Sequence, residues 1–586
     1  DTALGPDLGL DSLSRIALAL ALESDFGHAV ANLEELVRVG DCLAAAAGLL
    51  GGTEGEAAPP AWFAPAPEAV LTLSPEAGVI PDIFLAKVRE APDAPLLADR
   101  RTLLGRREVL TRAFILAGRF AALPGKRLGV MLPAAPVVPV VWLAAMLAGK
   151  EAVFFNWTIG EANLRHCLEL TGVTRVVTSS ALTDRLERGG LALSRLPVTW
   201  LCLEELAASL RPWEKLRGAV RARFPGARAA CSPADPAAVL FTSGSESRPK
   251  AVPLTHRNLL ANAGDIIAAL RLGGDDSLLS MLPPFHSFGL MVGLVLPLSL
   301  GLRAAFHPNP TEAGPLLSLA RDYRTRLLAA PPTFLELLLN RARGTDQLAG
   351  LRFAFVGAEK CPDRVYRAFA ELCPDAALCE GYGITECSPV ISLNRPESPV
   401  PGTIGHALPS VELALVRETD GAISGRAATG ETGMLLVRGP SVFPGYLGDA
   451  PDPFVRFEDQ TWYRTGDLVS QDENGRLTFR GRLKRFVKIG GEMISLPQME
   501  NALLEAFSSG SDAGGGPVLA VEAASEEEDG AEITLFTCLP LTVEEANAAL
   551  RAAGLSALYA VRRVVRLEAI PLLGSGKTDY RALKKP

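Results

Sequence analysis

The sequence lacks the patterns that mark several classes of protein. Its nine cysteines include no pair in a CxxC spacing, so neither a disulfide framework nor a zinc site is indicated. The net charge of -8 argues against broad binding to nucleic acid or to an anionic membrane. Two apolar stretches, 136–149 and 288–302, fall short of the roughly 18 to 20 residues that a membrane span requires. Both are therefore expected to form core helices.

What is present is typical of a large globular protein. Its 586 residues are 48% hydrophobic and 21% charged. Because domains commonly hold about 100 to 200 residues, we expect three or more units. No signal peptide is recognised at the start, which is not a methionine, so what lies upstream is left open. Scattered cysteines suit a reducing compartment, and we expect a cytoplasmic protein.

Composition and periodicity divide the chain into four parts. Residues 1–50 hold a helical pattern, and residues 51–75 are rich in Gly, Ala, Pro and Glu and are interpreted as a linker. Over residues 76–483 apolar strand-like runs alternate with helical stretches, which predicts α/β architecture with largely parallel sheets. Residues 484–586 follow a charged turn and predict a smaller α+β unit.

The most informative segment is 240–250, with the sequence LFTSGSESRPK. An apolar strand here leads into a loop of hydroxyls, a glycine and a lysine. Backbone N–H groups and Ser or Thr hydroxyls can surround phosphate oxygens, the glycine permits close approach, and Lys250 supplies charge. The segment alone fits a phosphate site or a solvent-exposed turn about equally well.

Five motifs, in order along the chain, resemble the signatures of the adenylate-forming (AMP-binding) superfamily. They lie at 240–250, at 381–386 (GYGITE), at 463–467 (YRTGD), at 481–492 (GRLKR running on to KIGGE) and at 574–577 (GSGK). The resemblance covers roughly residues 76–586. It implies a large N-terminal adenylation domain followed by a small mobile C-terminal domain.

The same resemblance implies a nucleotide site for ATP and Mg²⁺. The residues implied to bind the nucleotide are Thr242, Ser243, Gly244, Ser245 and Lys250 at the triphosphate, Gly357, Ala358, Glu359 and Tyr382 at the adenine, and Asp467 with Arg482 at the ribose. Glu386 is implied to hold Mg²⁺, a hard cation that prefers oxygen ligands. Thr385 beside it is implied to contact phosphate.

Lys577 is the implied catalytic cation of the C-terminal unit. In the family such a lysine reaches the carboxylate and the α-phosphate during adenylation and leaves when the small domain rotates. Lys484 matches the hinge of that rotation, and Gly490 and Gly491 match the pantetheine tunnel. A Walker P-loop at 574–578 is excluded, because Pro571 stands where that motif needs its first glycine.

The residues expected at the acyl site indicate an apolar acid. Amino-acid-activating relatives place an aspartate in the segment that matches 284–288 (PFHSF), and here His286 occupies that segment. An apolar run, 289–295, follows it. Burying an unpaired ammonium would cost several kcal/mol, so an amino acid is disfavoured and a fatty acid fits. His286 has either a gating or substrate-side role or that of a satisfied core histidine.

The first fifty residues resemble an acyl carrier protein. Residues 8–13, LGLDSL, precede a helical pattern, and Ser12 stands where a carrier bears phosphopantetheine. Asp-Ser before an apolar run is also an ordinary helix-capping signal. Only residues 1–7 are available for the helix that normally opens a carrier, so the segment is expected to be truncated, degenerate or specialised for a partner in the same chain.

Within the superfamily, the amino-acid sequences of several segments are similar to the synthetase half of bifunctional acyl-ACP synthetase/2-acylglycerophosphoethanolamine acyltransferases. No histidine has an aspartate five residues on, so the acyltransferase motif is absent from this chain. The expected function is ligation of a fatty acid to an acyl carrier protein, in cis or in trans. Free CoA as the acceptor and a decayed carrier-binding module are the alternatives. Peripheral contact with the inner face of a membrane is left open.

Overall fold

The computed structural model describes residues 18, 39–46, 57–73, 78–188, 190–224, 231–242, 248–342, 344–419, 422–489, 492–507, 517–524, 532–553, 555, 559–572 and 578–583. Most of the carrier-like segment, Ser12 included, therefore lies outside the described residues. What is described of it includes the helix Val39–Ala46.

Three sheets form the large body. Its strands are β1 Pro95–Ala98, β2 Leu103–Gly105, β3 Arg127–Val130, β4 Glu151–Phe154, β5 Arg175–Thr178, β6 Thr199–Cys202, β7 Pro236–Thr242, β8 Lys250–Thr255, β9 Ser277–Ser280, β10 Arg303–Phe306, β11 Leu327–Ala330, β12 Phe353–Val356, β13 Ala377–Gly383, β14 Val390–Leu393, β15 His406–Ala407, β16 Glu412–Thr419, β17 Ala422–Arg426, β18 Thr432–Arg438, β19 Phe454–Phe457, β20 Gln460–Gln471 and β21 Leu477–Arg482.

Two of these sheets are largely parallel. One has the order β6-β5-β3-β4-β7-β8, and the other the order β15-β14-β13-β12-β11-β9-β10-β1-β2. Strands β4, β9, β10 and β11 are buried along their whole length, as expected where helices cover both faces of a parallel sheet. The third sheet, β17-β16-β18-β20-β19 with β21 on β20, is antiparallel.

Helices α1, Val39–Ala46, and α2, Ile80–Glu90, precede the first strand. The helices that follow lie between the strands in sequence: α3 Arg106–Phe120, α4 Val137–Leu147, α5 Glu161–Thr171, α6 Ser180–Arg188, α7 Leu203–Ala208, α8 Pro212–Arg223, α9 His256–Leu270, α10 Ser287–Leu290, α11 Leu296–Leu300, α12 Ala313–Asp322, α13 Pro332–Arg341 and α14 Asp363–Leu372. A π-helical turn, Met291–Val295, joins α10 to α11.

The two long apolar stretches form core helices, as predicted. In α4 the side chain of Trp142 is fully buried, and its indole N–H donates to the backbone oxygen of Ala237 at 2.8 Å. The run from α10 to α11 is likewise buried over Gly289 to Leu300. Among the described residues no helix is both long and apolar enough to cross a membrane.

The C-terminal unit has its own core. It contains β22 Phe486–Ile489, β23 Glu492–Ser495, α15 Leu496–Phe507, β24 Leu519–Ala524, β25 Glu532–Thr537, α16 Val543–Ala552, β26 Arg563–Arg566 and α17 Tyr580–Leu583. Strands β24, β25 and β26 pair in that order, and β25 is parallel to β26. Ile494, Met499 and Leu535 lie in one buried cluster that includes no residue of the large body among those described.

Part of the segment interpreted as a linker packs against the large body. Trp62 is 1% exposed, and its indole N–H donates to the backbone oxygen of Tyr323 at 2.9 Å. Glu68 accepts a hydrogen bond from the buried guanidinium of Arg106 at 3.1 Å. The amino-acid composition did not predict this packing. Trp62 and Glu68 are two isolated anchoring side chains in a Pro- and Ala-rich stretch, and they produce no periodic pattern. The boundaries drawn at 51, 76 and 484 remain predictions.

Candidate active site

One groove collects the expected site residues that the structure describes. It lies where the parallel strands end, which is the usual ligand site of open α/β sheets. The expected residues that line it are Thr242, Lys250, His286, Gly357, Ala358, Glu359, Tyr382, Thr385, Glu386, Asp467 and Arg482. They come from six separate stretches of sequence, so the fold alone brings them together.

Seven other residues expected at the site fall outside the part of the chain that the structure describes. Ser12, Ser243, Gly244, Ser245, Gly490, Gly491 and Lys577 lie outside the described residues. Lys484 lies in the 3-10 turn Leu483–Arg485 between β21 and β22, and only its backbone is described. The roles assigned to all of these residues remain predictions.

Asp467 is the centre of the first cluster in the groove. The side chain is 1% exposed, and Arg482, its cross-strand neighbour in the β20–β21 pair, reaches its Oδ1 with Nε at 3.1 Å. The hydroxyl of Tyr382 donates to the other carboxylate oxygen. The charge of Asp467 raises the pKa of Arg482, while burial and then Asp467 raise the pKa of Tyr382 well above its ordinary value. Both partners therefore stay protonated donors at neutral pH.

Tyr382 also forms an aromatic wall with Phe479. The two ring centroids lie 5.7 Å apart with an interplanar angle of 32°, and both residues line the groove. A wall of this kind suits the flat face of a purine. Phe479 was not anticipated from sequence, because β21 is a short strand with no motif at that position.

Glu386 is the centre of the second cluster. It lies in the 3-10 turn Thr385–Cys387 that follows β13, and it is 7% exposed. The hydroxyl of Tyr446 donates to its Oε1 at 2.7 Å. The ammonium of Lys250 lies 4.7 Å from the centre of the Tyr446 ring. Burial, followed by the charge of Glu386, raises the pKa of Tyr446, so the phenol remains a donor.

Gly383 allows Glu386 to reach this place. A Cβ at Gly383 would lie 2.2 Å from the backbone oxygen of Pro389, across the irregular end of the β13–β14 pair. Any larger residue would push the strands apart just before the turn that carries Glu386. The second glycine of the GYGITE motif, Gly383, is thus explained by the close approach of two backbones.

The carboxylate of Glu386 fits a divalent cation. One of its oxygens is held by Tyr446, and the other takes part in no hydrogen bond with a described residue. The described residues include no group of three or more His, Cys, Asp or Glu side chains that could hold a metal. A single carboxylate completed by substrate phosphates is an arrangement typical of Mg²⁺, which would neutralise phosphate charge there.

Thr385 links this charged cluster to the acyl side. Its hydroxyl lies 3.2 Å from that of Ser287, the first residue of α10. His286, one residue earlier, is exposed in the groove with its ring 4.6 Å from that of Phe285. Phe285 makes an edge contact with Trp157, with 4.7 Å between centroids. His286 therefore stands at an aromatic rim and is not a core histidine.

Comparison with known proteins decides the family. The family model described as AMP-binding enzyme matches residues 84–447, more than half of the chain. The chain belongs to the AMP-binding enzyme family. A 4-coumarate–CoA ligase of Oryza sativa subsp. japonica is 28% identical over 72% of this chain and 77% of its own. A medium-chain fatty-acid–CoA ligase of Escherichia coli K12 is 32% identical over 60% of this chain and 61% of its own.

Solved structures agree on the fold of this AMP-binding enzyme. An O-succinylbenzoate coenzyme A synthetase of Bacillus subtilis in complex with AMP has a TM-score of 0.72 at 20% identity, covering 87% of this chain and 99% of its own. The same synthetase was solved with ATP and magnesium. The predicted adenylate-forming fold, with a large α/β domain and a smaller C-terminal domain, is confirmed, as is the assignment to AMP-forming acid–thiol ligases.

The deeper part of the groove in this AMP-binding enzyme is apolar. Its walls include side chains from α9, the π-helical turn, the start of α11 and strands β9 and β11: Ile266, Leu270, Leu278, Met291, Val292, Leu296 and Leu327. Between residues 266 and 302 the described lining residues include no carboxylate. This stretch of the wall therefore offers no counter-charge to an ammonium group, and the preference for an apolar acid stays a prediction.

Proposed function

We propose that the chain activates an apolar carboxylic acid of the fatty-acid class as its acyl adenylate and transfers the acyl group to a pantetheine thiol. One observation carries the proposal. A single groove joins a half that holds Glu386, Asp467 and Arg482 to a half with apolar walls and no described carboxylate between 266 and 302. The first half suits a nucleotide, and the second suits a hydrocarbon chain.

In the first step a carboxylate oxygen attacks the α-phosphorus of ATP. A P–O bond forms to the acid, the bond to the β-phosphate breaks, and pyrophosphate leaves. Asp467 and Tyr382 would fix the nucleoside, and Lys250 with Lys577 would offset the charge that builds up as two anions approach. Mg²⁺ on Glu386 would neutralise phosphate charge. The aromatic rim around His286 would direct the alkyl chain inwards.

In the second step a thiol attacks the mixed anhydride. The carbon–sulfur bond forms, AMP leaves with the bonding electrons, and the thiol proton passes to solvent or to AMP. We propose that rotation about Lys484 withdraws Lys577 and brings Gly490 and Gly491 beside the incoming pantetheine. The apolar half keeps the acyl group in place between the two steps.

Two acceptors carry the same thiol. The carrier-like sequence around Ser12 and the similarity to acyl-ACP synthetases support a carrier protein as the acceptor. Tethering in cis would supply that carrier at an effective concentration of roughly millimolar. The curated relatives named above are CoA ligases, and they support free CoA equally. We propose the carrier as the acceptor and free CoA as the second candidate.

A mass-spectrometric competition tests the acceptor. Purified protein receives Mg·ATP, fatty acids from hexanoate to stearate, holo-carrier protein and CoA together, and the thioester products are weighed. Acyl-carrier as the main product supports the proposal, and acylation of a phosphopantetheinylated Ser12 would place the carrier in cis. Acyl-CoA as the main product assigns the chain to the second candidate. A Ser12→Ala variant is the matched control for self-loading.

A further inference from the structure

Helix α8 (Pro212–Arg223) presents an exposed apolar stripe. Trp213, Leu216, Val220 and the following Phe224 are 54%, 65%, 51% and 76% exposed. Their spacing of three, four and four residues puts them on one side of the helix at 100° per residue. Single exposed apolar residues are ordinary, but four large ones in a continuous row indicate a binding surface.

The opposite side of α8 fixes the helix on the protein. Gly218 and Ala222 are buried, and a Cβ at Gly218 would lie 2.3 Å from a side-chain carbon of Ile115 in α3. At the start of the helix, Glu214 accepts from the guanidinium of Arg119 at 2.6 Å. Since the small residues face α3, the apolar stripe faces away from the body.

Cations flank the stripe on both sides. Between 211 and 224 the positively charged residues are Arg211, Lys215, Arg217, Arg221 and Arg223, all of them exposed. Helical geometry places Arg223 beside Leu216 on one border of the stripe and Arg217 beside Phe224 on the other. Glu214 is the single acid of this stretch, and Arg119 already pairs with it. This surface is locally basic on a chain whose net charge is -8.

We propose that α8 is a docking helix for an anionic phospholipid surface. A short helix with an apolar row, a tryptophan and flanking arginines matches interfacial helices that lie in the plane of a membrane. The apolar side chains would enter the boundary between headgroups and acyl chains, and the arginines would contact the phosphates. The net charge of the whole chain argued against binding to an anionic membrane. That sum does not describe the local charge of α8, which is basic.

A second copy of the chain is a poorer occupant. A two-fold interface would bring the same helix against itself and place the arginines of one copy near those of the other. The acidic N-terminal residues 1–56 are the third candidate occupant. Both occupants are outcomes of the experiment below.

Vesicle flotation with the full chain, without ATP or fatty acid, tests the proposal. We expect binding to vesicles of equal parts phosphatidylglycerol and phosphatidylethanolamine, little binding to phosphatidylcholine, and weakening by salt. Arg217→Gln with Arg223→Gln should weaken binding about 25-fold, from about fivefold for each cation. Leu216→Ser with Val220→Ser should weaken it about tenfold or more. The matched controls, Arg101→Gln with Arg551→Gln and Val70→Ser, change exposed residues elsewhere and should bind as wild type.

A second measurement locates the helix in the bilayer. Brominated lipid in the anionic vesicles should quench tryptophan fluorescence of the wild type, and that quenching should be lost in Trp213→Phe, which keeps the apolar character. The proposal is overturned if the wild type does not bind anionic vesicles. It is also overturned if binding is unchanged both in the Arg217→Gln, Arg223→Gln variant and in the Leu216→Ser, Val220→Ser variant. A dimer that the stripe variants dissociate, or crosslinks from α8 to residues 1–56, would assign the surface to one of the other occupants. Because no substrate is present, failure here leaves the proposed chemistry untouched.

Discussion

The two halves of the groove are built by different physical means. In the nucleotide half, each acid is held by polar side chains from neighbouring elements: Tyr382 and Arg482 at Asp467, and Tyr446 at Glu386. In the acyl half, side chains such as Leu278 and Leu327 form an apolar wall that is buried from water and carries no charge. Under the proposed function, the first half selects a nucleotide through side chains fixed in orientation, whereas the second selects an apolar acid because it offers no counter-charge.

The largest expected effect is in the nucleotide half. Asp467→Ala leaves the guanidinium of Arg482 and the hydroxyl of Tyr382 without their shared partner. It also removes the carboxylate that would accept from the ribose hydroxyls, and because a hydrogen bond to a charged acceptor is worth about 1.5 to 3 kcal/mol, losing two of them should lower ATP–pyrophosphate exchange at least about a hundredfold. The control is Glu458→Gln, which breaks an exposed ion pair with Arg426 outside the groove lining and should leave the exchange rate unchanged. Near-normal exchange in Asp467→Ala would contradict the role given to this cluster.

A charge placed in the acyl half tests the other side of the comparison. Val292→Asp puts a carboxylate into the apolar wall, where it would lie unpaired beside the substrate chain. Fatty-acid-dependent exchange should fall about a hundredfold, while binding of AMP, measured by calorimetry, should persist. Val292→Ala is the control for altered volume and should lose less than about tenfold. If Val292→Asp still activates fatty acids, the acyl chain lies elsewhere.

Tyr446→Phe gives a smaller effect within the nucleotide half. It deletes one hydrogen bond to Glu386, which for a charged acceptor is worth about 1.5 to 3 kcal/mol. We expect about a tenfold loss of exchange and a higher magnesium concentration for half-maximal rate. The control is Tyr366→Phe, where a half-buried phenol also donates to a carboxylate, Glu380, at 2.7 Å. Tyr366 should affect thermal stability alone, and an equal magnesium shift in both variants would argue against a positioning role for Tyr446.

A pH effect should act on the stability of the fold, through the buried start of α9. His256 at the start of that helix is 1% exposed, its Nδ1 accepts from the backbone N–H of Ile80 at 3.3 Å, and burial lowers its pKa from 6.5 to about 4. Below pH 6.5 the unfolded chain binds this proton and the folded chain does not. Stability should therefore be unaffected at pH 7 and fall between pH 6.5 and 4, by about 3 kcal/mol at most. Denaturant unfolding of His256→Gln should show a flatter acid limb, and an unchanged limb would exclude His256 as its cause.

Much of the fold and of the nucleotide half could be predicted from sequence. Buried parallel strands give continuous apolar runs, so the α/β architecture of the large body and the strand that leads into residues 240–250, β7, were predicted. Tyr446 was missed because it meets Glu386 across 60 residues of chain, with no local motif to mark it. Trp62 was missed because a single anchoring residue is not periodic. The stripe on α8 was missed because a helical row of apolar residues ordinarily indicates a core face.

The most direct test of the central claim is ATP–pyrophosphate exchange with a panel of acids. Decanoate and other fatty acids would be compared with phenylalanine and leucine, which carry an ammonium group on a similar hydrocarbon. Lys577→Ala would serve as the adenylation-deficient control. Exchange that depends on fatty acids, is absent with amino acids and is lost in Lys577→Ala is the predicted result. Exchange driven by an amino acid, or retained in Lys577→Ala, would contradict the assignment of an apolar acyl half joined to a nucleotide half.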